Sequence, residues 1–144
     1  MKNKFYILIF LVALLTFGCA TTVKVVSGEK RPKEEVAIIT GSTYYWVLAF
    51  SDITISSVDS IPTESHSKET VAVLPGRHTV IAHYKSYWPN GGGLGLGEST
   101  IGQFKLVFDV EAGYKYKIKL KSRWRKASVI VVDTRSGMVI GSSD

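Results

Sequence analysis

A dense run of basic side chains near the carboxyl end is the first candidate for chemistry. The segment YKYKIKLKSRWRK, residues 114–126, holds seven basic residues in thirteen positions. Its first part alternates strictly, so an extended strand would place four lysines on one face and the Tyr, Ile and Leu side chains on the other. Cationic groups at this density predict contact with an anionic surface. The basic set is Lys115, Lys117, Lys119 and Lys121, followed by Arg123, Arg125 and Lys126.

The same lysine face has a simpler interpretation. Like charges along a solvated strand discourage edge-to-edge aggregation, so the face could meet only water. Both interpretations predict a β-strand with a buried apolar face, and they differ only in what lies outside it.

The three histidines do not predict a metal site. His78 and His83 are five residues apart on one predicted strand, so they point to opposite faces, and His66 lies in a polar loop. We therefore predict no metal and no cofactor. We expect His78 to be a hydrogen-bonded residue beside a hairpin at Pro75-Gly76.

Catalytic groups do not stand out in the sequence either. There is no Gly-x-Ser-x-Gly elbow, and the aspartates fall at predicted strand ends, where they commonly cap turns. We predict no catalytic residue and no enzymatic activity. The alternative is a hydrolase, which would need His78 or His83 in a pocket within hydrogen-bond reach of a serine and a carboxylate.

The glycine-rich segment NGGGLGLGES, residues 90–99, lacks the spacing of a nucleotide-binding loop. It predicts a long hairpin loop, and contact with a partner and plain disorder both stay open.

The aromatic run Tyr44-Tyr45-Trp46 with Phe50 has two interpretations. It could form a carbohydrate platform, or it could belong to one ordinary strand over residues 43–50. We expect the strand, with Tyr44, Trp46, Leu48 and Phe50 on the buried face.

The only cysteine, Cys19, follows a segment typical of an export signal. Residues 1–4 are positively charged, and residues 5–18 are uncharged and mostly apolar. This stretch is shorter than the ~20 residues of a membrane-spanning helix, and it has the length and flanks of a signal-peptide core.

Gly18 and Cys19, with Leu15 four residues before the cysteine, resemble the lipobox of bacterial lipoproteins. The commonest pattern has Leu three residues before the cysteine, and looser versions admit Thr16 and Phe17. The resemblance implies that diacylglycerol is attached to the Cys19 sulfur and that a signal peptidase recognising Leu15 and Gly18 cuts before it. A further acyl chain, commonly palmitate, would follow on the new amino terminus.

The resemblance also implies a location. Two or more acyl chains make a stable membrane anchor without a spanning helix. Ala20, where an Asp would favour retention, implies the outer membrane, facing the periplasm. Nucleic acid is not an expected partner in that compartment. Anionic envelope polymers, anionic lipids and envelope proteins are the partners we consider.

Beyond the leader almost every segment has the pattern of a short β-strand. The segments are rich in β-branched and aromatic residues and are separated by turn residues, without a helical apolar period. This predicts an all-β fold, a single antiparallel β-sandwich of about 7–8 strands after an N-terminal signal helix. The predicted strands are residues 35–40, 43–50, 52–58, 69–74, 77–88, 101–110, 114–122 and 127–133.

Three domain segments follow from these predictions. Residues 1–18 are the signal peptide, residues 19–33 a lipidated tether, and residues 34–144 the β-sandwich. Within the tether, a partly ordered first strand built on Val23, Val25 and Val26 stays open as an alternative.

Pieces of the mature chain resemble small uncharacterised envelope lipoproteins. The pieces are RPKEEVAIITG, VAVLPGRHTVIAHY and FDVEAGYKYKIKL. The middle piece also resembles PEGA-type β modules, in which Pro75-Gly76 would join two strands in a tight hairpin. The resemblance implies a sandwich in the cell envelope and a non-enzymatic binding or scaffolding role. The alternatives are an envelope hydrolase, or a direct binder of anionic lipid or glycan through the basic strand 115–126.

Overall fold

The computed structural model describes residues 22–45, 50–63, 69–89, 96–123 and 126–143. Within these ranges the chain is almost entirely β, which confirms the predicted class. The only helical element there is a single 3-10 turn at Lys33–Glu35. The strands are β1 Thr22–Lys24, β2 Lys30–Pro32, β3 Ala37–Thr40, β4 Ser42–Tyr45, β5 Phe50–Val58, β6 Ile61–Pro62, β7 Thr70–Val73, β8 Gly76–Pro89, β9 Leu96–Val110, β10 Lys115–Arg123, β11 Lys126–Asp133 and β12 Val139–Ser142.

Two open five-stranded sheets and one small hairpin are formed. Sheet 1 has the order β12-β11-β10-β3-β7, and sheet 2 has the order β4-β5-β8-β9 with β6 paired to β5. Within the described ranges, all pairs of strands are antiparallel except β10 and β3, which are parallel with Tyr116 opposite Ile39. The prediction of a purely antiparallel arrangement is therefore wrong at this pair, because β3 and β10 enter the sheet from the same end.

Both sheets contribute to one hydrophobic core. Ile39, Ile118 and Val131 come from sheet 1, and Ile55 and Leu106 come from sheet 2; all five side chains are essentially inaccessible to solvent. Burial of each such side chain stabilises the fold by about 1.5–3 kcal/mol.

Tyr116 ties the core to the turn that precedes β10. Its ring is buried, and its hydroxyl accepts a hydrogen bond from the Glu111 N–H at 3.0 Å, five residues upstream. Burial, the largest cause, raises the pKa of the Tyr116 hydroxyl, although this hydrogen bond opposes the rise.

The chain crosses from sheet 1 to sheet 2 at Gly41, between β3 and β4. A Cβ atom built on Gly41 would lie 1.8 Å from the backbone oxygen of Ile53. No other residue type fits at this contact, because any side chain would overlap the backbone of β5.

A second crossing lies at Pro75-Gly76. Gly76 has a φ of +134°, as expected for a turn glycine. However, β7 belongs to sheet 1 and β8 to sheet 2, so the predicted tight hairpin between them is wrong. Turn residues specify a local change of direction, whereas the partners of each strand are set by packing across the core.

Seven of the eight predicted strands correspond to β3, β5, β7, β8, β9, β10 and β11. The eighth, residues 43–50, is wrong as a single strand. Tyr45 pairs with Phe50 in an antiparallel ladder, so the chain reverses between them. In addition, β9 begins at Leu96, so residues 96–99 of the glycine-rich segment belong to a strand and not to a loop. Residues 90–95 lie outside the described ranges.

The segment predicted as a tether is partly folded. β1 and β2 form a hairpin, and Val25 is 4% exposed and bridges to Ala72 of β7. Val25, Val36 and Ala72 form a second small buried cluster. A short first strand is therefore present in this segment, and it includes Val23 but not Val25 or Val26. The predicted signal helix lies outside the described residues.

Candidate functional site

The lysine face of β10 has the geometry that its alternation predicts. Tyr116 and Ile118 are buried in the core, whereas Lys115, Lys119 and Lys121 are exposed and Lys117 is partly exposed. Residues two apart on one strand are about 6.6 Å apart, so four such positions extend over about 20 Å. We call Lys115, Lys117, Lys119 and Lys121 the lysine face.

The residues beside the lysine face are uncharged. Lys115 and Lys117 lie opposite Ile38 and Thr40 of β3. On β11 the partners are Val132, Ile130 and Ser128. In the part of the chain that the structure describes, no carboxylate lies within ion-pair distance of these four lysines. Their positive charges are therefore not neutralised within this surface.

The backbone of β10 is held on both sides. β11 pairs with it from Tyr116 to Arg123, and β3 pairs with it only up to Lys117. Beyond Lys117 two side chains of β4 take over: Ser42 Oγ donates to the Ile118 carbonyl at 2.6 Å, and the Tyr44 hydroxyl accepts from the Leu120 N–H at 2.8 Å. The lysine face is thus carried on a rigid strand.

Two of the three remaining predicted basic residues end the β10–β11 ladder. Arg123 pairs with Lys126 as the last pair of the β10–β11 ladder. Their side chains and the whole of Arg125 lie outside the described residues, as do Leu15, Gly18 and Cys19.

His78 is hydrogen-bonded, as predicted, but it lies beside a crossing between the two sheets and not beside a hairpin. Its Nδ1 lies 2.5 Å from Asp59 Oδ2 and its Nε2 lies 2.7 Å from the Leu74 carbonyl oxygen. Asp59 and Ser60 form the turn between β5 and β6, with φ values of +50° and +68°. His78 therefore joins the β5–β6 turn to the crossing that follows β7.

The Asp59 carboxylate is held by two groups. Besides His78, the Thr79 N–H donates to Asp59 Oδ1 at 2.8 Å. Burial is the largest single influence and raises the pKa of Asp59, but these hydrogen bonds and the nearby imidazole outweigh it, and the net pKa is lowered.

An apolar groove lies next to His78. It is open to solvent, has a volume of about 150 Å³ and is lined mainly by aliphatic side chains. Ile61 and Leu74 at its rim are 43% and 38% exposed. The other lining residues are Val25, Val26, Ser27, Val58, Asp59, Val73 and His78.

The groove meets only part of the requirement for a hydrolase. A carboxylate binds the His78 Nδ1, but the Nε2, which a serine nucleophile would need, is taken by the Leu74 carbonyl. Ser27 lines the groove without a hydrogen bond to His78. His83 lies on the other face of β8, opposite Thr54 and Gln103.

Metal-ligating side chains are not clustered in the described ranges. No group of three His, Cys, Asp or Glu residues there could hold a metal ion. His66 lies outside these ranges.

The aromatic run differs from its expected arrangement. Tyr44 packs against the core, as expected, but Phe50 does not share its face. Phe50 pairs with Tyr45, so these two lie on the outer face of sheet 2, and Tyr45 is 82% exposed. Trp46 and Leu48 lie outside the described residues. The chain reversal between Tyr45 and Phe50 was not predicted from the sequence, because no glycine or proline lies between these two residues.

Among the described residues, no helix is long and apolar enough to cross a membrane. No protein-family model matches the chain, and the searches of curated proteins and of solved structures found no significant match either.

Proposed function

We propose that this chain is a lipid-anchored, non-enzymatic binding module of the cell envelope. In this proposal the two sheets and their shared core constitute a single β-sandwich. Cys19 carries the lipid, and the module faces the periplasm from the outer membrane. The support is the sequence around Gly18 and Cys19 together with a fold whose surface offers binding faces.

The observation that carries the binding role is the lysine face. Four lysines lie on the outer side of a strand whose backbone is fixed on both sides, and their cross-strand neighbours are uncharged. Each lysine close to an anionic surface contributes about 1 kcal/mol. The direct binding of anionic lipid through β10 is therefore the most specific form of the proposal.

The anchor is tested by replacing Cys19 with serine. We expect the wild-type chain to incorporate labelled palmitate and to fractionate with membranes, and the Cys19→Ser chain to do neither. A Ser27→Ala chain, which keeps the cysteine, serves as the control. Palmitate labelling of the Cys19→Ser chain at the wild-type level would refute the anchor.

The lysine face is tested on a chain that begins at Ala20, because the lipid would otherwise retain every variant on vesicles. We expect Lys117→Glu with Lys119→Glu to reduce binding to anionic phospholipid vesicles by about thirtyfold or more, since about 1 kcal/mol is lost at each position. The matched control is Lys33→Glu with Lys105→Glu, two exposed lysines on other elements. Equal binding by both double variants would exclude the lysine face as the binding surface.

A further inference from the structure

Three aromatic side chains form a ladder across the outer face of sheet 2. Tyr45 of β4 pairs with Phe50 of β5, and Phe50 pairs with Tyr87 of β8. The rings of Phe50 and Tyr87 are stacked, with centroids 4.3 Å apart and an interplanar angle of 16°. The rings of Tyr45 and Phe50 are 6.5 Å apart and tilted by 34°. We call these three residues the aromatic ladder.

Tyr45 is the open end of the aromatic ladder. Among the described residues it is the most exposed large hydrophobic side chain, at 82%. Phe50 and Tyr87 are partly buried and lie behind it. An accessible aromatic ring is suited to stacking, because a tyrosine has few rotatable bonds to immobilise on contact.

A polar row follows immediately along the same face. Thr43 pairs with Asp52, and Asp52 pairs with Lys85, two residues further from the aromatic ladder on each strand. The formal charges of this row cancel, and Thr43 is exposed, whereas one carboxylate oxygen of Asp52 is buried. The row differs in its charge from the lysine face on sheet 1, where four like charges are adjacent.

This combination fits a carbohydrate. A pyranose ring has an apolar face of C–H groups, which stacks on an aromatic ring, and a rim of hydroxyl groups, which donate and accept hydrogen bonds. We propose that the outer face of sheet 2 binds a glycan, with a sugar ring stacked on Tyr45 and a sugar hydroxyl bonded to the exposed Thr43 beside it.

Other occupants fit this face less well. A protein interface buries about 800 Å² per partner around an apolar centre. Next to the aromatic ladder lies a charged row, and the exposed Val107 is at the opposite end of the face, where it pairs with Thr79. An anionic lipid surface would favour a cationic face, whereas the polar row is neutral.

The glycan proposal goes beyond the proposed function and does not depend on the lipid anchor. It is tested with the full chain in detergent micelles, on columns of insoluble β-linked polysaccharide: chitin, a polymer of N-acetylglucosamine, and cellulose, a polymer of glucose. Both polymers are uncharged, so the lysine face does not contribute to retention. Soluble oligomers of each sugar give the dissociation constant by calorimetry.

We expect retention on at least one of the two polymers and elution by its soluble oligomer. Tyr45→Ala should weaken binding about five- to tenfold, and Tyr45→Phe should keep most of it, because the ring is preserved. Val107→Ala, on the same face, and Lys117→Glu with Lys119→Glu should bind as the wild type does. Tyr45 is so exposed that its replacement should leave the melting temperature unchanged.

Two results would overturn the glycan proposal. The first is the absence of retention on both polymers. The second is binding by a Tyr45→Ala chain that equals the wild type. The vesicle assay of the chain that begins at Ala20 reports the lysine face separately, so failure of one proposal does not imply failure of the other.

Discussion

Leu120 donates its backbone N–H to the hydroxyl of Tyr44 at 2.8 Å, across the junction of the two sheets. Tyr44 belongs to β4 of sheet 2, and Leu120 belongs to β10 of sheet 1. The contact begins where β3 has ended, so a side chain replaces the missing strand at the edge of β10. A partly buried N–H without a partner would cost about 1–3 kcal/mol.

Replacing Tyr44 with phenylalanine tests this contact. We expect a loss of about 1–2 kcal/mol in the free energy of unfolding, because the ring stays packed while the Leu120 N–H loses its acceptor. Hydrogen exchange at the Leu120 amide should become faster than at the neighbouring amides of β10. The control is Tyr114→Phe, since the Tyr114 hydroxyl makes no hydrogen bond within the described residues. Unchanged exchange at Leu120 in the Tyr44→Phe chain would contradict the role of this hydroxyl.

Gly41→Ala should be among the most damaging single substitutions in the fold. The added methyl group would lie 1.8 Å from the Ile53 oxygen, so the backbone of β4 or β5 must move. We expect a loss of more than about 3 kcal/mol, measured by urea unfolding. Gly28→Ala is the control: Gly28 has a φ of +96° and open space around it, so only the conformational cost of about 1–2 kcal/mol applies. Equal losses at the two positions would show that the crossing tolerates a side chain.

The strands are predictable from the sequence to a greater extent than their partners are. The alternation of Lys115 to Lys121 with Tyr, Ile and Leu specifies both faces of β10, because only one set can enter the core. The parallel pairing of β10 with β3 has no such local signature, since it joins residues about 77 positions apart. Likewise, Pro75-Gly76 indicates a turn but not that the next strand enters the other sheet.

The candidate sites also differ in whether a local sequence pattern predicts them or only the pairing of distant strands does. The lysine face is visible in the sequence because period-two charge is a local pattern. The aromatic ladder is visible only in part: Tyr45 and Phe50 belong to the aromatic run considered as a carbohydrate platform, but Tyr87 joins them only through the pairing of three strands. The bridge from His78 to Asp59 and Leu74 also requires two turns to meet in space.

The Asp59 carboxylate should make stability depend on pH in the acidic range. The pKa of Asp59 is lower in the folded chain than in the unfolded chain, where it is about 3.9. The stabilisation that the charged carboxylate gives the fold is therefore fully present above about pH 3.9, and it is lost as the pH falls through the folded-state pKa. Asp133 acts in the same direction, since hydrogen bonds from Ser136 and Arg135 lower its pKa. We therefore expect the free energy of unfolding to fall as the pH drops below about 4.

Asp59→Asn isolates the charge at the first of these groups, because asparagine also tolerates the positive φ of this turn. We expect a loss of less than about 1 kcal/mol at neutral pH, since the side chain is 44% exposed, and a flatter decline of stability below about pH 4. A wild-type profile in the Asp59→Asn chain would refute the assignment.

Raising the salt concentration should distinguish membrane attachment through the lysine face from attachment through the acyl chains. The lysine face would bind a membrane through its charge. The Debye length shortens from about 10 Å at 0.1 M salt to about 3 Å at 1 M salt. The second value is well below the distance of about 6.6 Å between successive lysines of β10. The chain that begins at Ala20 should therefore leave anionic vesicles as salt is raised over this range, in a sedimentation assay. The full lipidated chain should stay bound, because burial of its acyl chains does not depend on screening. Salt-independent binding of the Ala20 chain would show that apolar contact, and not the lysine face, holds it to the vesicle.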